Sequence, residues 1–332
     1  MSIGLQDIAQ STGFSVNTVS RALRKDPHIS NSTTDIISRT ATELGYIPNA
    51  IAASMRSSHS KTIGVVSADS ANPFFSEVIW GIEETARHLG YHILLANTEE
   101  SAKKEAELVR MFLCRQVDGI IAIPTYDRES EHIDLYKGLS VPYVFTGRYL
   151  DELKDHSILH EDTEGQKAVI GHLLDKGHRN ILYLAGPKKV SNTYDRLIGF
   201  YDAYDSRGRE PDENYIVHAM GHIEDGYAIT NHALNRGLEF TAVACFNDML
   251  AMGVLKSLHE NNLSVPDDVE VFGYDNLYMS QFMQPSLSTV DVPKFRLGST
   301  AMETLVSHIE DGTLPYVQKS VSTRLIFRES TR

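Results

Sequence analysis

The chain has 332 residues, 42% of them apolar and 23% charged, which is enough for more than one packed domain, because a single core stops growing near roughly 250 to 300 residues. This excludes disorder over most of the length, and just two cysteines, Cys114 and Cys245, each in an apolar neighbourhood, exclude the disulfide framework of a small secreted protein. The net charge of -13 argues against nucleic acid until it is divided: residues 1–60 carry five basic groups against four acidic ones, leaving 26 against 40 beyond, so the acidity belongs to the rest of the chain.

In chain order, Leu5, Ile8 and Ala9 fall at i, i+3 and i+4 and predict a first short helix, which Gly13 ends because glycine reaches the left-handed conformation at little cost. Ser15 is placed to cap a second helix over 16–23. Val19, Ala22 and Leu23 form its inner face, and Asn17, Thr18, Ser20, Arg21 and Arg24 point outward. A third helix begins near Ser32, where Ser32 and Asp35 have capping-box spacing, and Ile36, Ile37, Ala41 and Leu44 supply its buried stripe before Gly45. Three helices with a tight turn between the first two predict an all-α helix-turn-helix headpiece over 1–46.

Residues 47–60, IPNAIAASMRSSHS, are small and polar, with good helix formers over 49–56 that can fold on docking. From Lys61 the pattern alternates short β-rich runs (62–68, 91–96, 118–123, 142–146, 180–185, 215–218, 242–246, 269–274) with amphipathic segments (75–89, 103–114, 165–176, 195–206, 226–236, 249–260). Such alternation predicts an α/β core of two doubly wound parallel-sheet subdomains, whose strand ends enclose a cleft. A last strand is expected over 321–327. No apolar run approaches the roughly 18 residues of a membrane span, and the N-terminus lacks the basic start and apolar stretch of a signal peptide, so a cytoplasmic protein with no membrane partner is expected.

With SVNTVSRAL on the second helix, ELGYIPNAIAASMR behind it and TIGVVSADSANPFF opening the core, the chain resembles the lactose and galactose repressor family. VDGIIAI, DKGHRNILYLAGP, DRLIGF, TAVACFNDMLAMGVL and VPDDVEVFGYDN continue the match over essentially the whole length. The resemblance implies a DNA-binding headpiece (1–46), a hinge helix and linker (47–60) and a periplasmic-binding-protein-like effector and dimerisation core (61–332). Within that core it divides an N-subdomain (about 61–160 plus 291–320) from a C-subdomain (about 161–290 plus 321–332). It also implies a small effector in the cleft that controls affinity for double-stranded operator DNA.

The first residues of a recognition helix meet base edges in the major groove, so Val16, Asn17 and, one turn on, Arg21 are the candidates for reading sequence, while Ser15, Thr18 and Ser20 suit phosphates. In the hinge, Met55 stands where the family carries a leucine wedge between base steps, or else packs beneath the core; Asn49 and Ala52 are expected to face the minor groove. Residues 1–60, headpiece and hinge together, have a net charge of +1 and hold DNA poorly alone, so a homodimer on a pseudo-palindromic operator is expected. No leucine-heptad segment follows the last predicted strand to make a tetramer.

Asp275 and Asn247 follow predicted strands at their carboxyl ends, and Arg196 matches the family's cleft arginine; together they can bracket sugar hydroxyls, although Asn247 is also placed to cap a helix. Phe74 or Phe75 can stack on a ring while the other joins the core, and Asp69 is a further polar candidate. Arg148 follows Gly147 where many relatives have aspartate; it favours an acidic or phosphorylated sugar, or salt-bridges to Asp162. Gly221 likewise stands where several relatives have an aromatic ring. A carbohydrate-responsive repressor is the expected function, a purine- or nucleoside-responsive one the alternative. An enzyme or a sugar-uptake protein on the same core is the rival of another class. The sequence has no GxSxG, P-loop, GxGxxG or HExxH. His156, His160, His172 and His178 read as surface histidines rather than a metal site, both cysteines read as buried small hydrophobes, and no cofactor is expected.

Overall fold

The computed structural model describes residues 3–47, 59–125, 130–312 and 314–332. The chain divides into two compact units, Met1–Ser60 and Lys61–Arg332.

The first unit contains α1 (Leu5–Thr12), α2 (Val16–Leu23) and α3 (Asn31–Glu43). Gly13 closes α1 with φ +74°, its N–H bonded to the Ala9 carbonyl, and the Ser15 hydroxyl accepts the Thr18 N–H at 3.1 Å to open α2. Ile8, Val19, Ala22, Ile37 and Ala41 are buried together, with Phe14, Leu23, Leu44 and Tyr46 packed on them. Two expectations about α3 are corrected. Its cap is Ser30, whose hydroxyl accepts the Thr33 N–H at 3.2 Å, so Ser32 lies inside the first turn. The buried stripe is then Ile37, Ala41 and Leu44, and Ile36 points outward, 42% exposed.

The second unit is built on two parallel sheets. The first has the order β11-β5-β4-β3-β1-β2, from β1 (Thr62–Ser67), β2 (His92–Asn97), β3 (Gly119–Ala122), β4 (Tyr143–Thr146), β5 (Ser157–His160) and β11 (Lys319–Val321). The second, β7-β6-β8-β9, uses β6 (Ile181–Ala185), β7 (Ile216–His218), β8 (Ala242–Cys245) and β9 (Glu270–Phe272). A short antiparallel ribbon of β10 (Thr289–Asp291) and β12 (Arg324–Ile326) bridges to the end of the second sheet through Phe272–Ser288 and Asp275–Asp291. The covering helices are α4 (Pro73–His88), α5 (Ala102–Cys114), α6 (Ser130–Lys137), α7 (Asp162–Asp175), α8 (Ser191–Asp205), α9 (Ile223–Asn235), α10 (Asp248–Glu260) and α11 (Lys294–Glu310).

The chain leaves the first sheet between His160 and Asp162, returns into α11 after Asp291, and crosses again between Val321 and Arg324. Because every strand of both sheets runs parallel, the loops that follow them gather at carboxyl edges, where ligands of such sheets bind. The pair α4 and α11 is held close by Gly81 and Gly298: a Cβ on either would meet a backbone carbonyl of the other helix at 2.1 or 2.0 Å. No described helix is long and apolar enough to cross a membrane.

The predicted strands and helices from 62 to 274 are present to within a few residues at their ends. Four of the helices and strands named above lie outside the predicted set, α6, β5, β10 and α11, and the predicted last strand is divided into β11 and β12. The surface reading of four histidines is also corrected. His156 is sandwiched between Tyr143 and Tyr316 at 4.4 and 3.7 Å, His160 is buried, and His172 and His178 are half-buried, packed on Phe327 and bonded to Thr241 respectively. Cys245 is buried, whereas Cys114 is exposed at the end of α5.

Candidate DNA-reading face and effector cleft

On α2, Val16 and Asn17 are exposed in the first turn and Thr18 and Ser20 are half-buried. The Ser15 and Thr18 hydroxyls lie 2.9 Å apart, so part of the expected phosphate-binding set is engaged in capping the helix. Arg21 forms a fork with Asp26, Nε to Oδ2 at 2.9 Å and Nη2 to Oδ1 at 3.4 Å. Hydrogen bonds from Arg21 and from the backbone and ring of His28 hold the Asp26 carboxyl far below its ordinary range. Asn49, Ala52 and Met55 lie outside the described residues.

In the second unit, the loops at the carboxyl edges enclose two connected spaces. Phe74, Phe75, Arg148, Arg196, Asn247 and Asp275 line an inner recess of about 40 Å³. Asp69 lines an outer chamber of about 330 Å³ together with Phe75, Arg148 and Asn247. All seven cleft residues expected from the sequence therefore sit on one of two adjoining walls.

Their chemistry is unequal. Asn72 caps α4 through Phe74, and Pro73 occupies the first turn, which aims both Phe74 and Phe75 inward from buried positions. Asn247 caps α10: its Oδ1 accepts the Leu250 N–H at 2.8 Å and its Nδ2 donates to the Gly221 carbonyl at 2.9 Å, so its amide is largely spent on backbone. Arg148 pairs with Glu100 at 2.9 Å and donates to the Pro124 carbonyl at 3.2 Å. The expected alternative of an Arg148 to Asp162 bridge is therefore corrected, because Asp162 is taken up by other partners.

Those partners form the buried wall of the recess. Nε of Arg196 donates to Asp162 at 2.6 Å, Nη1 donates to the Phe246 carbonyl, and the guanidinium lies 3.5 Å from the Tyr274 ring centre. His160 approaches the same carboxylate at 3.1 Å, and Asn192 donates to it at 2.6 Å and to the Gly147 carbonyl at 2.8 Å. Burial opposes the charge on Asp162, but the neighbouring His160 and Arg196 outweigh it and the carboxyl stays far below its ordinary range. Asp275 is the opposite case. It is buried, its carboxylate has no hydrogen-bond donor among the described residues, and burial pushes it well above the usual carboxylate range despite Arg196.

His160, Asn192 and Phe246 were not identified from the sequence, although they line the recess. His160 ends a strand whose two apolar residues, Ile158 and Leu159, make no longer β-rich run. Asn192 lies in the first turn of α8, which starts at Ser191 rather than near Asp195. Phe246 adjoins Asn247 and was assigned to the end of its strand.

Two family descriptions match this chain: "Bacterial regulatory proteins, lacI family" over residues 4–49 and "Periplasmic binding proteins and sugar binding domain of LacI family" over residues 60–326. A repressor named PurR from Photobacterium profundum is 31% identical, covering 99% of this chain and 98% of that protein. The ribose operon repressor of Halalkalibacterium halodurans is 29% identical over 99% of this chain and 97% of its own length. Among solved structures, a lac repressor dimer bound to operator and the anti-inducer ONPF superposes with a TM-score of 0.91 at 26% identity, covering 100% of this chain and 99% of that one. The chain belongs to the LacI family of bacterial regulatory proteins and is a DNA-binding transcriptional repressor, not an enzyme.

Proposed function

We propose that this repressor acts in the cytoplasm as a homodimer on a carbohydrate-utilisation operon, and that a small sugar-type effector in the cleft of the core changes its affinity for a pseudo-palindromic operator. Asn17, Val16 and Arg21 read bases; Ser15, Thr18 and Ser20 position the headpiece; Asn49, Ala52 and Met55 act from the hinge. The observation that carries the effector class is the facing pair of Arg196 and Asp275, a fixed donor fork opposite a carboxylate without a donor. Adjacent hydroxyls of a sugar ring supply both complements, a donor for Asp275 and an acceptor for Arg196. Phe74 and Phe75 offer the apolar wall on which a ring face stacks.

Homodimerisation is supported by an exposed aromatic patch: Trp80 against Phe295 at 5.1 Å and Tyr278 against Phe282 at 5.2 Å, with Tyr278 74% and Phe282 68% exposed. Leu94 and Leu95 are exposed on the edge strand β2. Apolar surface of this extent marks an interaction site on a soluble protein.

A purine effector is the second reading, favoured by the relative named PurR and by the aromatic walls. Titration of the full-length protein on a labelled operator fragment separates the two, with pentoses and hexoses in one series and hypoxanthine and guanine in the other. The expected result is release of operator by a saccharide, with operator weakening saccharide binding by the same factor, since the coupling is reciprocal. Response to purines alone replaces the sugar reading, and tighter operator binding with ligand makes the effector a co-repressor. Sedimentation at twice the chain mass is expected; a monomer that binds operator tightly overturns the dimer.

A further inference from the structure

The recess and the chamber share Asn72, Phe75, Arg148, Phe246 and Asn247 as common walls, so an effector reaching Asp275 also meets the groups around the chamber. Arg148 is the one arginine or lysine among the residues lining that chamber, whose wall also carries Asp69, Glu100 and Glu99, the last paired with Lys104. Its guanidinium is engaged through one nitrogen. One nitrogen lies 2.9 and 3.0 Å from the two Glu100 oxygens, and the same nitrogen donates to the Pro124 carbonyl at 3.2 Å. Both side chains are largely shielded, 12% and 17% exposed, so water screens the pair little.

The backbone is bent to bring Glu100 there. Glu99 and Glu100 have φ of +52° and +60°, two successive left-handed non-glycine residues, a conformation that costs free energy and persists where surrounding contacts impose it. The Glu100 N–H is held by the Ala68 carbonyl at 3.0 Å, which fixes this turn beside the end of β1. Two observations tie the space to a ligand: the buried carboxylate of Asp275 lacks a hydrogen-bond donor, and the buried Nδ1 of His160, also lining the recess, has no partner. The chamber, about 330 Å³, is roughly twice the ~150 Å³ that holds a benzene ring, which suits one hexose or pentose better than a chain of sugars.

We infer that Glu100 is a specificity-determining residue: by neutralising Arg148 it sets the cleft to take an uncharged, monosaccharide-sized effector and to reject phosphorylated or carboxylated sugars. This rests on the saccharide reading above. A phosphate entering the chamber would meet the carboxylates of Glu100 and Asp69 beside Arg148, so discrimination comes from repulsion as much as from fit.

The test is operator release and calorimetric binding by the full-length protein, comparing neutral pentoses and hexoses with their phosphates and uronates. Wild type should respond to a neutral sugar at least 10-fold more tightly than to its phosphate. Glu100→Gln, checked for an unchanged melting curve, should narrow that gap at least 10-fold by freeing Arg148. Arg148→Met should leave the neutral preference standing and weaken no phosphate response. A wild-type preference for the phosphate, loss of the neutral-sugar preference in Arg148→Met, or an unchanged ratio in Glu100→Gln overturns the inference while leaving the saccharide reading intact. A response to purines alone overturns the saccharide reading and the sugar preference that rests on it.

Discussion

Nη2 of Arg196 lies 4.0 Å from Oδ1 of Asp275, within range of charge attraction and beyond hydrogen-bond distance. Arg196 is held in place by Asp162 and the Phe246 carbonyl, whereas Asp275 is held by its backbone alone: its N–H bonds to Val290 and its carbonyl accepts Lys294. The wall thus carries one anchored group and one carboxylate without a donor, and the latter costs folding free energy.

Asp275→Asn should therefore separate stability from response. The amide removes a charge that burial disfavours, and Asn tolerates the positive φ of +108° at this position better than most residues. The melting temperature at pH 7 should rise, operator affinity should stay unchanged, and effector affinity should fall by roughly 10- to 100-fold, the loss of a hydrogen bond to a charged group. An unchanged effector response removes Asp275 from the site.

Arg196→Ala should behave differently, because it strands a buried carboxylate. Asp162 would keep only His160 and Asn192, and breaking a buried pair in this way costs about 3 to 5 kcal/mol. Urea unfolding at pH 7 measures it. A loss below 1 kcal/mol would mean that water enters and rehydrates Asp162.

Asp248 gives a pH-dependent prediction. Burial raises its carboxyl to about 6 from 3.8, against hydrogen bonds from Ser280, Thr289 and the Leu277 N–H. Folding therefore takes up a proton between about pH 4 and 6. The contribution of Asp248 to stability is most favourable below this window and declines as pH rises through it, by about 3 kcal/mol in all for about two units. Asp248→Asn can keep Leu277 and Ser280 on its oxygen and donate to Thr289. The stability difference between variant and wild type should then grow from pH 4 to pH 6 and level off above; a difference flat in pH would place the carboxyl near its ordinary value.

The residues around Arg196 also show where the sequence was legible and where it was not. Asp275, Asn247 and Asp69 could be aimed at a cleft because each follows a β-rich run, and in a parallel sheet the position after a strand is the ligand edge. Partnership was not legible, because it depends on contacts between distant segments. Arg148 is tied to Glu100, and Asp162 to Arg196 and Asn192, across 30 to 48 residues of chain. α11 escaped notice although Leu297, Ala301 and Leu305 repeat at helical spacing and all are buried. β5 and β10 are no shorter than β7 or β9 but hold few apolar residues, Ile158 and Leu159 in one and Val290 in the other, and neither sits in a longer β-rich run.

In the headpiece, the fork between Arg21 and Asp26 sets the last expectation. The pair is partly exposed, 35% and 26%, and occupies the arginine that stands one turn after Asn17 on the exposed side of α2. Asp26→Asn leaves an oxygen for the His28 N–H and removes the charge that holds Arg21 back. It also takes one negative charge from residues 1–60 of each chain, where the excess of basic groups is a single one. Operator affinity should rise at moderate salt, and the slope of log K against log salt should steepen by about 0.9 for each additional phosphate neutralised. Asn17→Ala should act on the other component, costing about 1 to 3 kcal/mol on operator and little on unrelated DNA. Fluorescence anisotropy on both DNAs over a salt series separates them. If Asp26→Asn leaves the salt slope unchanged, Arg21 already contacts DNA with its carboxylate partner in place; if Asn17→Ala weakens both DNAs equally, Asn17 binds backbone rather than base.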